Sequence, residues 1–444
     1  MFSLAWTLAR AGGWARSALL AGCTAAVSGL LLVAVSLVVL SDTANEQLAD
    51  FVRDGGTRGG VVFAVVLLTL PPLLLLDQAV RLGTANRDRR LAALRVAGAT
   101  AAEVRRLGGI EVGIPTTVGA VLGIGVFGVL RAILGGQQQY NPGTLGANFA
   151  IVPTSSGPNA WQTLLVVLGV AVAGTLVGWR ASRAVIESPL GVTRRETRRP
   201  PRPWGLLLLL LAAALTPTAF SLGHSADFVV FIVIGLVVVA LVVLAPWVAY
   251  VMARRLQRRT ARPASLLAAQ RIIADPRAAG RAAAAIGGIA LVGGGVVGFV
   301  LQVTGSGSYD DSSYLSGATL VAVCLLVGLA IAAGSMAVHS VESLLDRRRE
   351  VAFLAATGML ESELELAARR EITMVALPLA VVGSALGAAI IPLIGGESAP
   401  ALLLSVLLGL GITVSLVWLA SVLAVRAVRP WARRASSPLN LRTE

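Results

Sequence analysis

Lysine is missing altogether from these 444 residues, and all 37 basic side chains are arginine. A Walker A loop needs its lysine to reach the phosphates of a nucleotide, so the chain has no phosphate loop of that kind. Lysine nucleophiles are excluded with it. Charge is sparse as well: charged residues make up 14% of the chain, where a soluble protein carries about a quarter. The two cysteines, Cys23 and Cys324, both sit inside apolar runs and read as small packing residues rather than a disulfide or metal pair. The two histidines, His224 and His339, are far apart in sequence and fall near opposite membrane faces in the topology below. No metal cluster can be built from them, and no catalytic residue is assigned.

What the chain has instead is apolar length, with 56% hydrophobic residues. About 20 residues at 1.5 Å rise cross roughly 30 Å of hydrocarbon. Charge-free windows give ten candidate spans: Ser17–Ser41, Gly59–Leu76 (extending toward Val80), Gly113–Leu130, Trp161–Trp179, Trp204–Leu222, Phe228–Met252, Ala282–Thr304, Ser316–Val338, Ile372–Ile394 and Ala401–Val425. Arg10 and Arg16 before the first run resemble a secretory signal, but the run is too long for a signal h-region and reads as a retained span. The fold class expected is an all-α polytopic membrane protein.

Arginine placement orients it. With the N-terminus in the cytoplasm, 34 of the 37 arginines lie on the inner side, and only Arg53, Arg58 and Arg131 lie outside. The positive-inside rule therefore favours N-in, C-in. The net charge of +14 is topological on this reading, and no nucleic-acid partner is expected.

One stretch occurs twice. Arg87–Gly123, shifted by 260 positions, lands on Arg347–Gly383 without a gap, and ten of the 37 positions are identical. The repeat divides the chain into residues 1–183 (spans one to four), a linker and hairpin over 184–252 (spans five and six), and 253–444 (spans seven to ten). An even number of spans separates the two copies, so they run in the same direction, as a parallel repeat.

In the first copy an arginine-flanked helix is expected to end at Gly98, since glycine tolerates the left-handed conformation of a helix C-cap. Thr100 and Glu103 then form a T-x-x-E capping box that starts the next helix. The second copy keeps Gly358 and Glu363 but has Leu360 for the threonine, so its helix start is expected to be less sharply defined. The product is a cytoplasmic helix–turn–helix knob between spans two and three, and again between spans eight and nine. Topology needs arginines but not a matched Leu/Gly pattern, which favours a docking role over a solvated loop. Gly119 with Gly123, and Gly383 with Gly387, form Gly-x-x-x-Gly pairs that let helices approach closely, either as a contact that shifts or as static packing. Asp77 is expected to pair with Arg81 near the interface, and Glu111 and Glu371 with nearby arginines at the inner surface. A proton relay would want several deep acids, which the chain lacks, so a secondary transporter is disfavoured.

The run R-R-L-A-A-L-R-V-A-G-A-T at Arg89–Thr100, with Glu111 and the glycines after it, resembles the FtsX-like (MacB-type) permease domain of ABC transporters. Arg348, Arg349, Glu350, Val351, Leu354 and Gly358, followed by Glu371, resemble the same signature. The ten-span, two-repeat plan is similar to permeases of the bacitracin-resistance (BceB) type, but the loops that would hold a large extracytoplasmic domain, Asp42–Arg58 and Gly305–Leu315, are short. The resemblance implies a permease without catalysis of its own in a bacterial inner membrane, multi-pass and in contact with membrane lipid. It further implies a separate cytoplasmic ABC ATPase, two copies per permease chain, with ATP and magnesium bound in that partner and no cofactor in this chain. Arg89, Arg90, Leu91, Leu94, Arg95 and Gly98, with Arg348, Arg349, Glu350, Val351, Leu354 and Gly358, become the ATPase-docking residues. Glu111, Glu371 and Asp77 become interfacial coupling residues. The implied work is efflux or extraction of a hydrophobic or amphipathic compound, such as a peptide antibiotic, drug or lipid. The alternative is ATP-driven mechanotransmission to a cell-wall hydrolase or sensor kinase without transport.

Overall fold

The structure is a computed structural model that describes residues 14–40, 48–49, 52, 55–81, 93–94, 96–135, 150–154, 156–181, 200–221, 227–306, 318, 321–322, 325–334, 337, 340–341, 344, 348–394 and 398–435. Among these residues there is no strand, and the chain is an all-α polytopic membrane protein. Eight helical stretches are long and apolar enough to cross a bilayer: Arg16–Val39, Arg58–Val80, Ala101–Leu134, Ala160–Ala181, Val229–Arg259, Pro276–Gly305, Ser362–Ile390 and Ala399–Arg426. The two further expected spans coincide with shorter apolar helical stretches, Trp204–Pro217 and Leu325–Gly334. The second borders residues outside the described set.

The chain forms two compact units, residues 1–198 and 199–444. The first holds α1 (Trp14–Val39), α2 (Gly55–Leu67), α3 (Leu70–Arg81), α4 (Ala101–Leu134) and α5 (Ala160–Ala181). Helix α1 packs on α4 and touches α2, α3 and α5, and α4 packs on α5. Helices α2 and α3 are one membrane crossing broken at residues 68–69. Pro71 and Pro72 have no N–H to donate back into the α2 turn. The chain restarts instead, with the Leu73 N–H bonded to the Thr69 carbonyl at 3.1 Å and the Thr69 hydroxyl turned onto the Val66 carbonyl at 2.6 Å.

The second unit holds α6 (Trp204–Ser221), α7 (Asp227–Arg259), α8 (Pro263–Ala274), α9 (Pro276–Ser306), α10 (Arg348–Ala356), α11 (Glu361–Ile394) and α12 (Ala399–Ala435). Helices α9 and α11 form its centre; α12 packs on both, and the α6–α7 hairpin packs through α7 against α9 and α11. Inside this bundle the Thr413 hydroxyl donates to Ser384 at 2.9 Å and the Ser405 hydroxyl to the Ala388 carbonyl at 3.0 Å. Such hydroxyl links between α11 and α12 are worth most where no water competes.

The internal repeat is metrically strict. Helices α4 and α11 are both 34 residues long, and both of their bounds are 260 positions apart. A straight helix of that length is roughly 50 Å, against about 30 Å of hydrocarbon, so about a dozen residues overhang the membrane. The surplus falls on the arginine-rich end, at 101–112 and 361–372, because the apolar windows begin beyond it.

Candidate coupling site

Each overhanging helix starts from a glycine turn. In the first unit the chain reverses at Gly98, whose φ is 100°. The Ala99 N–H bonds to the Leu94 carbonyl at 3.0 Å, the long bond of a Schellman motif. Thr100 then caps α4. Its hydroxyl accepts from the Glu103 N–H at 3.3 Å, while the Glu103 carboxylate accepts from the Thr100 N–H at 2.8 Å. The capping box written in the sequence is formed.

The second unit repeats the turn at Gly358, with φ 96°. The Met359 N–H reaches the Leu354 carbonyl at 3.0 Å and the Gly358 N–H the Ala355 carbonyl at 3.1 Å, so both Schellman bonds are present. The Leu360 carbonyl accepts the Glu363 and Leu364 N–H groups at 3.0 and 3.3 Å. Contrary to expectation, α11 starts at the residue equivalent to the start of α4 without a side-chain cap, because the glycine turn alone sets the register. A Cβ at either glycine would meet nothing within 4 Å, so alanine there tests backbone strain alone. Gly98→Ala and Gly358→Ala are each expected to destabilise the knob by about 1 kcal/mol, seen as faster amide exchange in residues 99–104 or 359–364 with the rest of the chain unchanged.

The knobs are small packed units. Val104 is fully buried beneath Leu94 and Ala99. Shifted by 260, Leu364 is buried with Val351 and Leu344 beneath Met359 and Leu267. Leu94 and Val351 therefore face inward and hold the turn, and Leu354 is half-buried. The apolar side chains facing outward are Val96, Phe353 and Leu360, at 78, 60 and 65% exposure. Sequence reasoning passed over these three, because on a short helix the inward leucine gives the same periodic signal as an outward one. Glu350 is exposed and Arg348 and Arg349 open α10. Arg89, Arg90, Leu91 and Arg95 lie outside the described residues, as does the Arg81 side chain expected beside Asp77. Asp77 is half-buried on α3.

Below the first knob is a buried cation. Arg16, at the start of α1, donates to Glu111 of α4 at 2.8 Å, with the two side chains 10 and 5% exposed. The same guanidinium donates to the Ala79 carbonyl at 3.2 Å and the Val80 carbonyl at 3.0 Å. These carbonyls belong to the last turn of α3, where backbone acceptors lack helical partners and the dipole is negative. One side chain thus ties α1, α3 and α4 at the arginine-rich end. In the second unit Glu371, the equivalent of Glu111, faces Arg271 of α8 at 3.7 Å. The glutamate position is kept and the arginine comes from a different helix. Cation–π contacts add a second tie in each unit, Arg105 over Trp179 at 6.0 Å and Arg369 over Trp418 at 5.4 Å.

The glycine pairs lie along seams within each unit. A Cβ at Gly119 or Gly123 would collide with Ala21, Thr24 and Ser28 of α1. A Cβ at Gly383 or Gly387 would collide with the α9 backbone at Gly287 and Leu291. Span three thus packs on span one, and span nine on span seven. Among the described residues no group of three or more His, Cys, Asp or Glu side chains could hold a metal.

The fold and this site define a multi-pass helical membrane protein whose long spans carry capped knobs at one end. Residues 61–190 match the FtsX-like permease C-terminal family. No curated protein and no solved structure matches the chain. The family match covers spans two to four of the first repeat; the second copy is tied to it by the equal helix bounds and the equal glycine turns. Permeases of this family are non-catalytic membrane subunits of ABC-type systems and generally pair with cytoplasmic ATPases.

Proposed function

We propose that the chain is the permease of an ATP-driven exporter or extractor of hydrophobic or amphipathic compounds, powered by two copies of a separate cytoplasmic ABC ATPase. The observation that carries this reading is the pair of 34-residue helices, α4 and α11, each overhanging the apolar windows from a left-handed glycine turn at Gly98 or Gly358. With the arginine-rich end in the cytoplasm, each overhang is a rigid lever with a knob at its tip. An ATPase subunit seats on each knob through Val96 in the first and Phe353 with Leu360 in the second. Closure of the ATPase dimer displaces the knobs, and the buried Arg16–Glu111 contact carries that displacement into α1 and α3. The substrate path is apolar, in keeping with the small number of acids within the spans.

The test is capture of the ATPase subunit. Phe353→Asp with Leu360→Asp, combined with Val96→Asp, is expected to remove ATPase co-purification and compound-stimulated ATP hydrolysis while the thermal transition of the permease in detergent holds. Undiminished capture by a folded triple variant overturns the docking assignment. Unchanged sensitivity of a deletion strain to a broad panel of amphipathic compounds overturns the export assignment.

A further inference from the structure

At the arginine-rich end of the second unit, a cavity of about 570 Å³ opens between the start of α6, the middle of α7 and the first turns of α9. Its charged lining is Arg202, Arg277 and Arg281, and no acid is among the described residues that line it. The nearest acid in sequence, Asp275, is engaged with the Ala278 N–H at 3.2 Å at the start of α9. Arg202 and Arg277 are exposed. The walls are fixed by close backbone contacts. A Cβ at Gly205 would press on the Ala240 carbonyl of α7 at 2.6 Å, and one at Gly280 on Pro246 at 2.5 Å, so α6, α7 and α9 meet there without room to spread. Trp204 stands at the rim, 58% exposed, where an amphipathic ring suits the boundary between headgroups and hydrocarbon.

An apolar track leads away from the charges. Leu207 and Leu211 follow Trp204 at i+3 and i+7 along its face of α6 and are 55 and 49% exposed. On α7, Val243 at the cavity wall and Val239 one turn on are 39 and 52% exposed. Guanidiniums over an apolar track match a molecule with an anionic head and hydrocarbon tails. A free phosphate would use the arginines and leave the track idle; an acidic protein surface would not reach down the track into the hydrocarbon.

We propose that this cavity is a binding site for an anionic phospholipid of the surrounding leaflet, with its phosphate on Arg202 and Arg277 and its acyl chains along Leu207, Leu211 and Val239. Arginine suits the head because its planar fork donates two parallel bonds to a phosphate, and basic pockets between spans are a general form of lipid recognition. The proposal does not depend on ATPase coupling. Bound lipid would hold the α6–α7 hairpin against α9, the first span of the second repeat.

Native mass spectrometry of the full chain, released from nanodiscs of mixed phosphatidylglycerol and phosphatidylcholine, tests it. The wild type is expected to retain phosphatidylglycerol. Arg202→Gln with Arg277→Gln is expected to weaken that retention about 25-fold, from two surface charges each contributing about fivefold. Arg202→Lys with Arg277→Lys keeps a point charge at each position and retains most of it. Leu207→Ser with Leu211→Ser lowers phosphatidylglycerol retention while leaving binding of inorganic phosphate unchanged. Equal retention by wild type and the glutamine pair overturns the proposal. So does displacement of the lipid by millimolar inorganic phosphate, which identifies a soluble phosphate ligand. Loss of ATPase co-purification with unchanged lipid retention identifies a protein contact and overturns it equally. Should the glutamine pair fail to fold, Arg277→Gln alone and the serine pair carry the same comparison.

Discussion

Arg16→Met is expected to cost about 3–5 kcal/mol of stability in the first unit, the range for removing one member of a buried ion pair. Methionine keeps most of the volume, so the loss is electrostatic. Glu111, 5% exposed, loses the guanidinium that now reaches it at 2.8 Å, and the Ala79 and Val80 carbonyls lose the donors that now reach them at 3.2 and 3.0 Å. The companion variant Arg16→Met with Glu111→Gln replaces both members of the pair and is expected to recover most of the loss, because replacing both partners of a buried pair is often close to neutral. The Ala79 and Val80 carbonyls end a helix and reach water more easily than a carboxylate does in the same place, so the residual deficit is small. Arg271→Met is the internal comparison. Its contact with Glu371 is 3.7 Å rather than 2.8 Å, and a smaller effect is expected. Thermal unfolding of the purified permease reads all three against the wild type. A wild-type transition for Arg16→Met would mean that the site is wet and the guanidinium ties nothing, and transmission from the first knob would then need another route.

The clamp also marks how far the sequence could be read. That Glu111 and Glu371 would find arginines followed from their place at the edge of a span. Which arginine could not follow, since Arg16 lies 95 positions from Glu111 and Arg271 belongs to a helix with no counterpart among the described residues of the first unit. Local signals transferred well. The T-x-x-E box and the glycine at each helix end are set by hydrogen bonds within a few residues, and all are formed; the break near Pro71 and Pro72 is not legible in the run, which reads as one continuous span. Direction was less legible. Leu94 was expected to face a partner and instead covers Val104, because a knob of two short helices must bury something of its own before it can offer a surface. Span length was legible for eight crossings, where apolar runs and helix bounds coincide. At span five α6, Trp204–Ser221, matches the apolar run to within one residue, and at span eight Leu325–Gly334 borders residues outside the described set. The partner of each glycine pair was not legible at all: small residues announce a close approach but do not say to which helix.

Gly387→Ala is expected to separate α11 from α9 and to destabilise the second unit more than Gly123→Ala destabilises the first. A Cβ at Gly387 would fall on the Leu291 carbonyl oxygen and within 2.9 Å of the Gly295 amide nitrogen. Both are backbone atoms of a helix, so no rotamer change can make room and the helices must part along the seam. Overpacking of this kind costs about 1–3 kcal/mol, and a larger side chain such as leucine costs more. At Gly123 the obstruction is the Ser28 side chain, with its hydroxyl at 2.7 Å and the Ala25 carbonyl at 3.0 Å; part of it can turn aside, so Gly123→Ala is the milder change. Gly125, on the same helix with nothing within 4 Å, is the control, and alanine there is expected to be neutral or to raise stability through helix propensity. The ranking bears on whether the seams move. In a seam that slides during the cycle, α9 and α11 occupy the close register for only part of the time. Alanine at Gly387 would then lower compound-stimulated ATP hydrolysis by the partner more than it lowers the unfolding temperature. In a static seam the two losses fall together, and a folded Gly387→Ala permease works at the wild-type rate. Equal stability of the Gly387→Ala and Gly125→Ala variants would overturn the close approach itself, and with it both accounts of the pair.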